Sequence, residues 1–288
     1  MKGRGYGRAY GAVSIVNAIS IGRGAALGVS LTTEAEVELD VVEGVVLDAG
    51  GEDMDSSLVS EVVRRFTEEL GVGVRGCRVR TRSSIPVAVG LKSSSSAAVA
   101  TALALLDALD TEMDDDRILA LVAEASKSSG TSITGALDDA AACMMGGIVV
   151  TDNIGMRILR RDQPPNLITV VGVPGGRTYT REFKRELLNP IRELVEEAFQ
   201  LALRGEYWKA MTLNGILHAS ALKLPSEPII GALRAGALAA GVSGTGPAIA
   251  AVTEQSKMED VGQVFSSAGY HVLKCPINIF HAVKGGFG

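Results

Sequence analysis

The chain has 288 residues, enough for one large or two ordinary domains, and its 47% apolar against 21% charged residues allow a sizeable core. A net charge of -5 and 4% aromatic residues argue against nucleic-acid binding, which calls for a basic face and stacking rings. Cys77, Cys143 and Cys275 stand far apart with no CxxC pair, so no disulfide framework is implied and a reducing compartment is expected. The opening MKGRGYGRAYG has no apolar signal core, and no apolar run approaches the ~18 residues of a membrane helix, so a cytoplasmic chain with no membrane contact is expected.

In chain order, residues 6–21 and 25–31 read as strands around the turn Gly22-Arg23-Gly24. Residues 34–40 alternate strictly, with Glu34, Glu36, Glu38 and Asp40 on one face, and predict a half-exposed strand that 45–48 continues. Asp55 is placed to cap a helix to about Leu70 with Leu58, Val62, Val63 and Phe66 inward. Residues 77–83 alternate again, and Arg78, Arg80 and Arg82 on one face read as a solvated sheet face rather than a polyanion site. Helices are predicted at 117–128 after an acidic cap, and at 135–145 ending in Gly146-Gly147; a strand follows at 148–152. A boundary falls near 153–163. Beyond it come a strand at 167–173, helices at 190–204, 207–221 and 228–240, a glycine turn feeding a strand across 242–252, a helix at 258–268, and strand-like segments at 270–276 and 277–283. Helices and strands mix without regular alternation, which favours the α+β class.

The stretch 85–109, IPVAVGLKSSSSAAVATALALLDAL, organises the reading. A short apolar segment meets a small polar turn, Gly90-Leu91-Lys92 and four serines, and then an alanine-rich helix of helical periodicity. At a helix N-terminus the first N–H groups lack partners and the dipole adds positive charge. Small residues admit an anion to the backbone, hydroxyls can ligate a cation, and Lys92 adds a full charge. Phosphate cradle and plain serine cap are both open on this stretch alone.

Several signatures are absent: there is no GxxxxGK[ST], no HExxH and no GxSxG, and the three histidines are scattered. Gly71–Gly76 fits GxGxxG, but it follows a helix and precedes a strand, the reverse of a dinucleotide fingerprint. Two further small-residue turns remain, 129–134 leading to Asp138 and Asp139, and 243–247. The three turns together hold what phosphoryl transfer requires: backbone donors, a lysine, hard oxygens for Mg²⁺, and a carboxylate for the acceptor hydroxyl.

In this order the motifs resemble those of the GHMP small-molecule kinases, whose phosphate motif P-x-x-x-G-L-G-S-S-A-A is matched from Pro86 through Gly90, Leu91, Lys92, Ser93, Ser94, Ser95 and Ser96 to Ala98. The family's C-terminal glycine motif is matched from Ser243 to Val252, with Gly244, Thr245 and Gly246, and its catalytic aspartate by Asp139 ahead of Gly146-Gly147. The resemblance covers most of the chain. Lys92 departs from the family's usual glycine, and GLKSSSS, the opening AYGAVSIVNAISIGRGAALGVSL and TGALDDAAAC are similar to the archaeal-type shikimate kinases of that superfamily.

The resemblance implies an N-terminal ribosomal-protein-S5-like half (1–155), a C-terminal ferredoxin-like half (156–288), and an active site between them. It implies ATP and Mg²⁺ as cofactors, with the 3-hydroxyl of shikimate as acceptor. A kinase for homoserine or mevalonate, or a metabolite sensor on the same fold, stays open. The expected metal ligands are Ser94 and Glu124, the catalytic carboxylate Asp139 with Asp138 behind it, and the acceptor's partners Asn17 and either Arg23 or Arg177. The partner is a small molecule; the oligomeric state, a homodimer included, is left open.

Overall fold

A computed structural model describes residues 2–50, 56–175 and 184–286. The expected cap Asp55 and the candidate Arg177 lie outside the described residues. β1 (Arg4–Val16) and β2 (Arg23–Leu39) form a long antiparallel hairpin. β2 is one strand where the sequence suggests two. Thr32 and Thr33 are β-branched and carry the strand through. What changes there is the surroundings: Gly24 to Val29 are wholly buried, whereas Thr33 to Leu39 alternate with half-buried glutamates.

β3 (Gly44–Asp48) runs parallel to β4 (Gly76–Ser83), which pairs antiparallel with β2. The register sets Glu34, Glu36 and Glu38 opposite Arg82, Arg80 and Arg78. Arg80 lies 3.2 Å from Glu36 and 3.3 Å from Glu38, and Arg4 of β1 lies 2.6 Å from Glu36. The arginine face is thus a cross-strand charge ladder.

Between β3 and β4 runs α1 (Ser56–Glu69), with Leu58, Val59, Val62, Val63 and Phe66 buried. After β4 come α2 (Ser93–Leu109), α3 (Asp115–Ser128) and α4 (Leu137–Met145). α3 is capped by Asp114, whose carboxylate accepts the Arg117 N–H at 2.8 Å. α2 and α4 lie on β1 and β2, and α1 and α3 cover α2. α2 comes unusually close to the sheet. A Cβ on Gly7 would stand 2.3 Å from the Ala100 carbonyl oxygen, and one on Gly5 2.2 Å from the Ala108 nitrogen.

β5 (Ile148–Asp152) pairs with the buried part of β2, and β6 (Arg157–Asp162) pairs with β5. β6 stands where the sequence reading put a boundary. Ile158 and Leu159 sit side by side between charges, so no period-two pattern announces it. A division at 155/156 separates the paired strands β5 and β6.

The second sheet has the order β10-β7-β9-β8, all antiparallel. It is built from β7 (Ile168–Val173), β8 (Ala239–Val242), β9 (Ile249–Thr253) and β10 (His271–Pro276). α5 (Arg192–Leu203) and α6 (Tyr207–Ala221) pack against β1, sharing a core with Val171, Ala250 and Val252. α7 (Glu227–Arg234) and α8 (Met258–Ser267) close the other face around Val170, Ala251 and Phe265.

The helix predicted to Ala240 ends at Arg234, because Gly236 turns the chain at φ 102° and Ala239 and Ala240 enter β8. The strand-like segment 277–283 is instead a turn in which Asn278 bonds Phe280 through both side-chain ends, at 2.8 and 3.1 Å. Ile277 makes a single antiparallel bridge to Val29, and β11 (Val283–Lys284) pairs with β1, so this segment returns to the first sheet. The three cysteines are buried core residues. Among the described residues no helix is long and apolar enough to cross a membrane.

Candidate active site

The start of α2 carries no side-chain cap, so its first amides face outward unclaimed by any capping oxygen. The preceding residue, Lys92, is left-handed at φ 65°. Such a conformation costs a side-chain-bearing residue roughly 1–2 kcal/mol and suits glycine. Lys92 is nonetheless nearly buried, with its Nζ 2.8 Å from Ser14 Oγ and 2.9 Å from Asp139 Oδ1. Its ammonium is therefore engaged with a carboxylate in this structure, a contact the sequence reading did not include.

The other residues of the turn divide. Ser94 is exposed at the helix start, and Ser93 lines a cleft with Thr33, Thr81, Ser83, Val87 and Ala97. Pro86 is half-buried. Leu91 is a core residue, and Ser95 and Ser96 are buried, so only their main chain can face an anion. Gly90 is needed for a different contact than expected: at φ 99°, a Cβ there would stand 2.0 Å from the Ser243 carbonyl oxygen. The two glycine turns touch at that point.

Asp138 and Asp139 occupy the first turn of α4 and face different surroundings. Asp139 meets Lys92. Asp138 is 3% exposed, accepts the Asn153 Nδ2 hydrogen at 2.8 Å, and lies under Gly24, where a Cβ would stand 2.3 Å from Oδ2. Burial pushes the Asp138 carboxyl well above the usual carboxylate range; the Asp139 charge adds to this, and Lys92 and Asn153 oppose it. The two carboxylates are thereby distinguished: one paired with a cation, one enclosed.

The C-terminal glycine turn is tied to β1. The Gly244 N–H donates to Ser14 Oγ at 3.0 Å, and its carbonyl accepts from Asn17 Nδ2 at 2.6 Å. Asn17 Oδ1 also accepts the Ile19 N–H at 3.0 Å, so this candidate acceptor ligand is spent largely on local structure. Thr245 is buried, and Gly244 and Gly246 have φ 60° and 75°.

Two further candidates have other partners. Glu124 lies 2.6 Å from Arg65 on α1, so the structure pairs it with a surface arginine rather than with the cradle. Among the described residues no group of three or more His, Cys, Asp and Glu side chains could hold a metal. A Mg²⁺ ion here suits the Ser94 hydroxyl together with phosphate oxygens, since that ion keeps few protein ligands. Arg23 reaches Glu196 on α5 at 2.5 Å and lies over the Phe199 ring, 5.1 Å from its centre.

Sequence reasoning missed Ser14, Asn153, Arg185, Asn214 and His218. Arg185 donates to the Ser20 carbonyl at 3.4 Å and so borders the turn after β1. Asn214 accepts the Asn17 N–H at 3.2 Å. One turn on, His218 Nδ1 donates to the Asn214 carbonyl at 2.9 Å, leaving Nε2 as a buried lone pair without a partner among the described residues. Burial drives the His218 pKa down to about 4, aided by the Lys92 charge and opposed by the hydrogen bond to Asn214. Ser14 could have been noticed as a polar residue inside the apolar run Ala12–Val16.

Comparisons with known proteins bear on the fold and the family. The GHMP kinases N terminal domain matches residues 57–147, and the GHMP kinases C terminal domain residues 190–271. The shikimate kinase of Methanothrix thermoacetophila is 42% identical over 95% of this chain and 94% of its own. That of Thermococcus kodakarensis is 41% identical over 89% and 96%. Among solved structures, homoserine kinase from Cytophaga hutchinsonii superposes with a TM-score of 0.77 at 21% identity, covering 99% of this chain and 98% of its own. L. major mevalonate kinase, solved with R-mevalonate, gives 0.74 at 16% identity over 97% and 98%. These last two share the fold. With both halves matched and close relatives spanning nearly its whole length, the chain belongs to the GHMP kinase family.

Proposed function

We propose that this chain transfers the γ-phosphoryl group of ATP to the 3-hydroxyl of shikimate. The observation that carries the reading is Lys92: a lysine held left-handed where glycine is easier, with its ammonium on Asp139. Strain of this kind persists where the surrounding structure over-determines it, as at functional sites. The shikimate kinases at about 40% identity support the acceptor.

ATP, when bound with Mg²⁺, supplies the phosphoryl group, and the metal offsets its charge. The uncapped amides of α2 would hold the phosphates, and the exposed Ser94 hydroxyl would be the protein's ligand to the metal. Asp139 orients the acceptor hydroxyl and takes its proton as the oxygen bonds to phosphorus and the bridging oxygen leaves with ADP. Lys92 fixes that carboxylate and places positive charge where negative charge gathers on the transferring group. Asp138, enclosed under Gly24 and held by Asn153, anchors the first turn of α4. Arg23, paired with Glu196 here, and Arg185 border the turn after β1, and either would offer the substrate carboxylate a bidentate guanidinium.

The test is a coupled ADP-release assay with shikimate, homoserine, mevalonate and galactose at equal concentration, followed by NMR of the product ester. Turnover with shikimate and phosphate on the 3-oxygen are expected. Faster turnover with another alcohol would replace the acceptor.

A further inference from the structure

Lys92 carries its charge on a flexible four-carbon stem, and something must aim it. Asp139 does not do so alone. Its Oδ1 lies 2.9 Å from Nζ, yet the contact lacks the alignment of a hydrogen bond, and Oδ1 finds no hydrogen-bond partner among the described residues. The aligned bond goes from Nζ to Ser14 Oγ, at 2.8 Å.

Ser14 is 2% exposed near the C-terminal end of β1. A hydroxyl offers two lone pairs and one hydrogen. Both lone pairs of Ser14 are occupied by N–H donors, the Lys92 ammonium and the Gly244 amide. Its own main-chain N–H donates to Ser243 Oγ at 3.1 Å, and Ser243 Oγ donates to the Gly90 carbonyl at 2.7 Å. One residue of β1 thus touches the lysine, the C-terminal glycine turn and, through Ser243, the phosphate turn.

We infer that Ser14 is the positioning residue that aims the Lys92 ammonium at Asp139 and ties that aim to the seating of the turn at Gly244. The inference rests on the proposed role of Lys92 and Asp139. Ser14 touches neither phosphate nor acceptor in this account; it acts through Lys92.

A double-mutant cycle tests it with the full-length chain: parent, Ser14→Ala, Lys92→Ala and the double variant, each followed for kcat, KM for ATP, KM for shikimate and thermal midpoint. Misplacing the ammonium should lower kcat roughly 10- to 100-fold in Ser14→Ala, with KM for ATP within about twofold of the parent. Lys92→Ala should lose roughly 10²–10⁴-fold, which single-turnover measurement over hours still resolves. The double variant should match Lys92→Ala within about twofold, because Ser14 then has nothing to aim. Unchanged kcat in Ser14→Ala overturns the inference. So does an equal fold-loss from Ser14→Ala in both backgrounds, which is what a purely structural serine would give. Should Ser14→Ala not fold, Ser14→Cys, similar in shape and a weaker acceptor, runs the same cycle to the same criteria. Full activity in Lys92→Ala would sink the role of Lys92 itself, separately from either result on Ser14.

Discussion

Replacing Lys92 by glycine changes two opposing terms at once. The left-handed conformation at φ 65° is relaxed, which stabilises the fold by about 1 kcal/mol. The same change removes the partner of Asp139. Breaking a buried ion pair from one side costs about 3–5 kcal/mol. Lys92 is 7% and Asp139 17% exposed, so the lower end applies, at about 3 kcal/mol. Lys92→Gly should therefore be less stable by about 2 kcal/mol, a fall in Tm of about 3–4 °C for a chain of this size. Adding Asp139→Asn removes the stranded charge while keeping the relaxed backbone. The double variant should melt at or about 2 °C above the parent, although it has lost the proposed catalytic pair. Circular dichroism melts of the three proteins at pH 7.5 decide it. A double variant less stable than Lys92→Gly would mean that the pair does not carry the energetics assigned to it. A Lys92→Gly more stable than the parent would mean that Asp139 does not need the ammonium.

Asp139→Asn should still bind ATP and lose roughly 10²–10⁴-fold in kcat, while Asp138→Asn loses less; steady-state kinetics on both settles the order, and the reverse ranking moves the base to Asp138. Asp138 also predicts a pH dependence of stability. Its carboxyl is raised to about 7 in the fold, so the stability of its protonated form is complete below the unfolded value near pH 4 and is lost as pH rises through about 7. The Tm of Asp138→Asn relative to the parent should accordingly rise between pH 5 and pH 8, and a constant difference would contradict this. Gly7→Ala drives a methyl to 2.3 Å from a helix carbonyl and should cost about 1–3 kcal/mol or more, whereas Gly73→Ala, with nothing within 4 Å, should leave the melt unchanged within about 0.5 kcal/mol.

Much of this site is legible in the sequence because local chemistry writes it there. The serine turn must open a helix, since helical periodicity begins immediately after it, and the paired aspartates must lie in a first turn ahead of a glycine stop. What the sequence hides depends on contacts between distant segments. Lys92 reads as a phosphate ligand by residue type, and its ion pair with Asp139, 47 positions on, is not visible from that type. Glu124 has the chemistry of a metal ligand and is claimed by Arg65, 59 positions away. Ser14 and His218 look like ordinary residues of a strand and a helix until β1 and α6 are set against the glycine turn. β6 and β8 are missed for want of alternation: one has adjacent apolar residues between charges, the other has Ala-Ala-Gly-Val with every position buried.

The close seating of α2 on β1 bears on how such a chain can diverge. In an ordinary core a larger side chain can be accommodated when a neighbour becomes smaller. At positions 5 and 7 the two nearest obstructing atoms at each are main-chain, the Ala100 and Ala104 carbonyl oxygens and the Ala104 and Ala108 amides, and no substitution can shrink a main chain. Change at either glycine has no second-site partner within reach. It can be accommodated only by lifting the helix, and the residue at the head of that helix is Ser93, bonded directly to Lys92. Drift at one end of the strand is thereby coupled to the geometry of the phosphate turn, and homologues that carry a side chain at either position are expected to have rebuilt that turn as well.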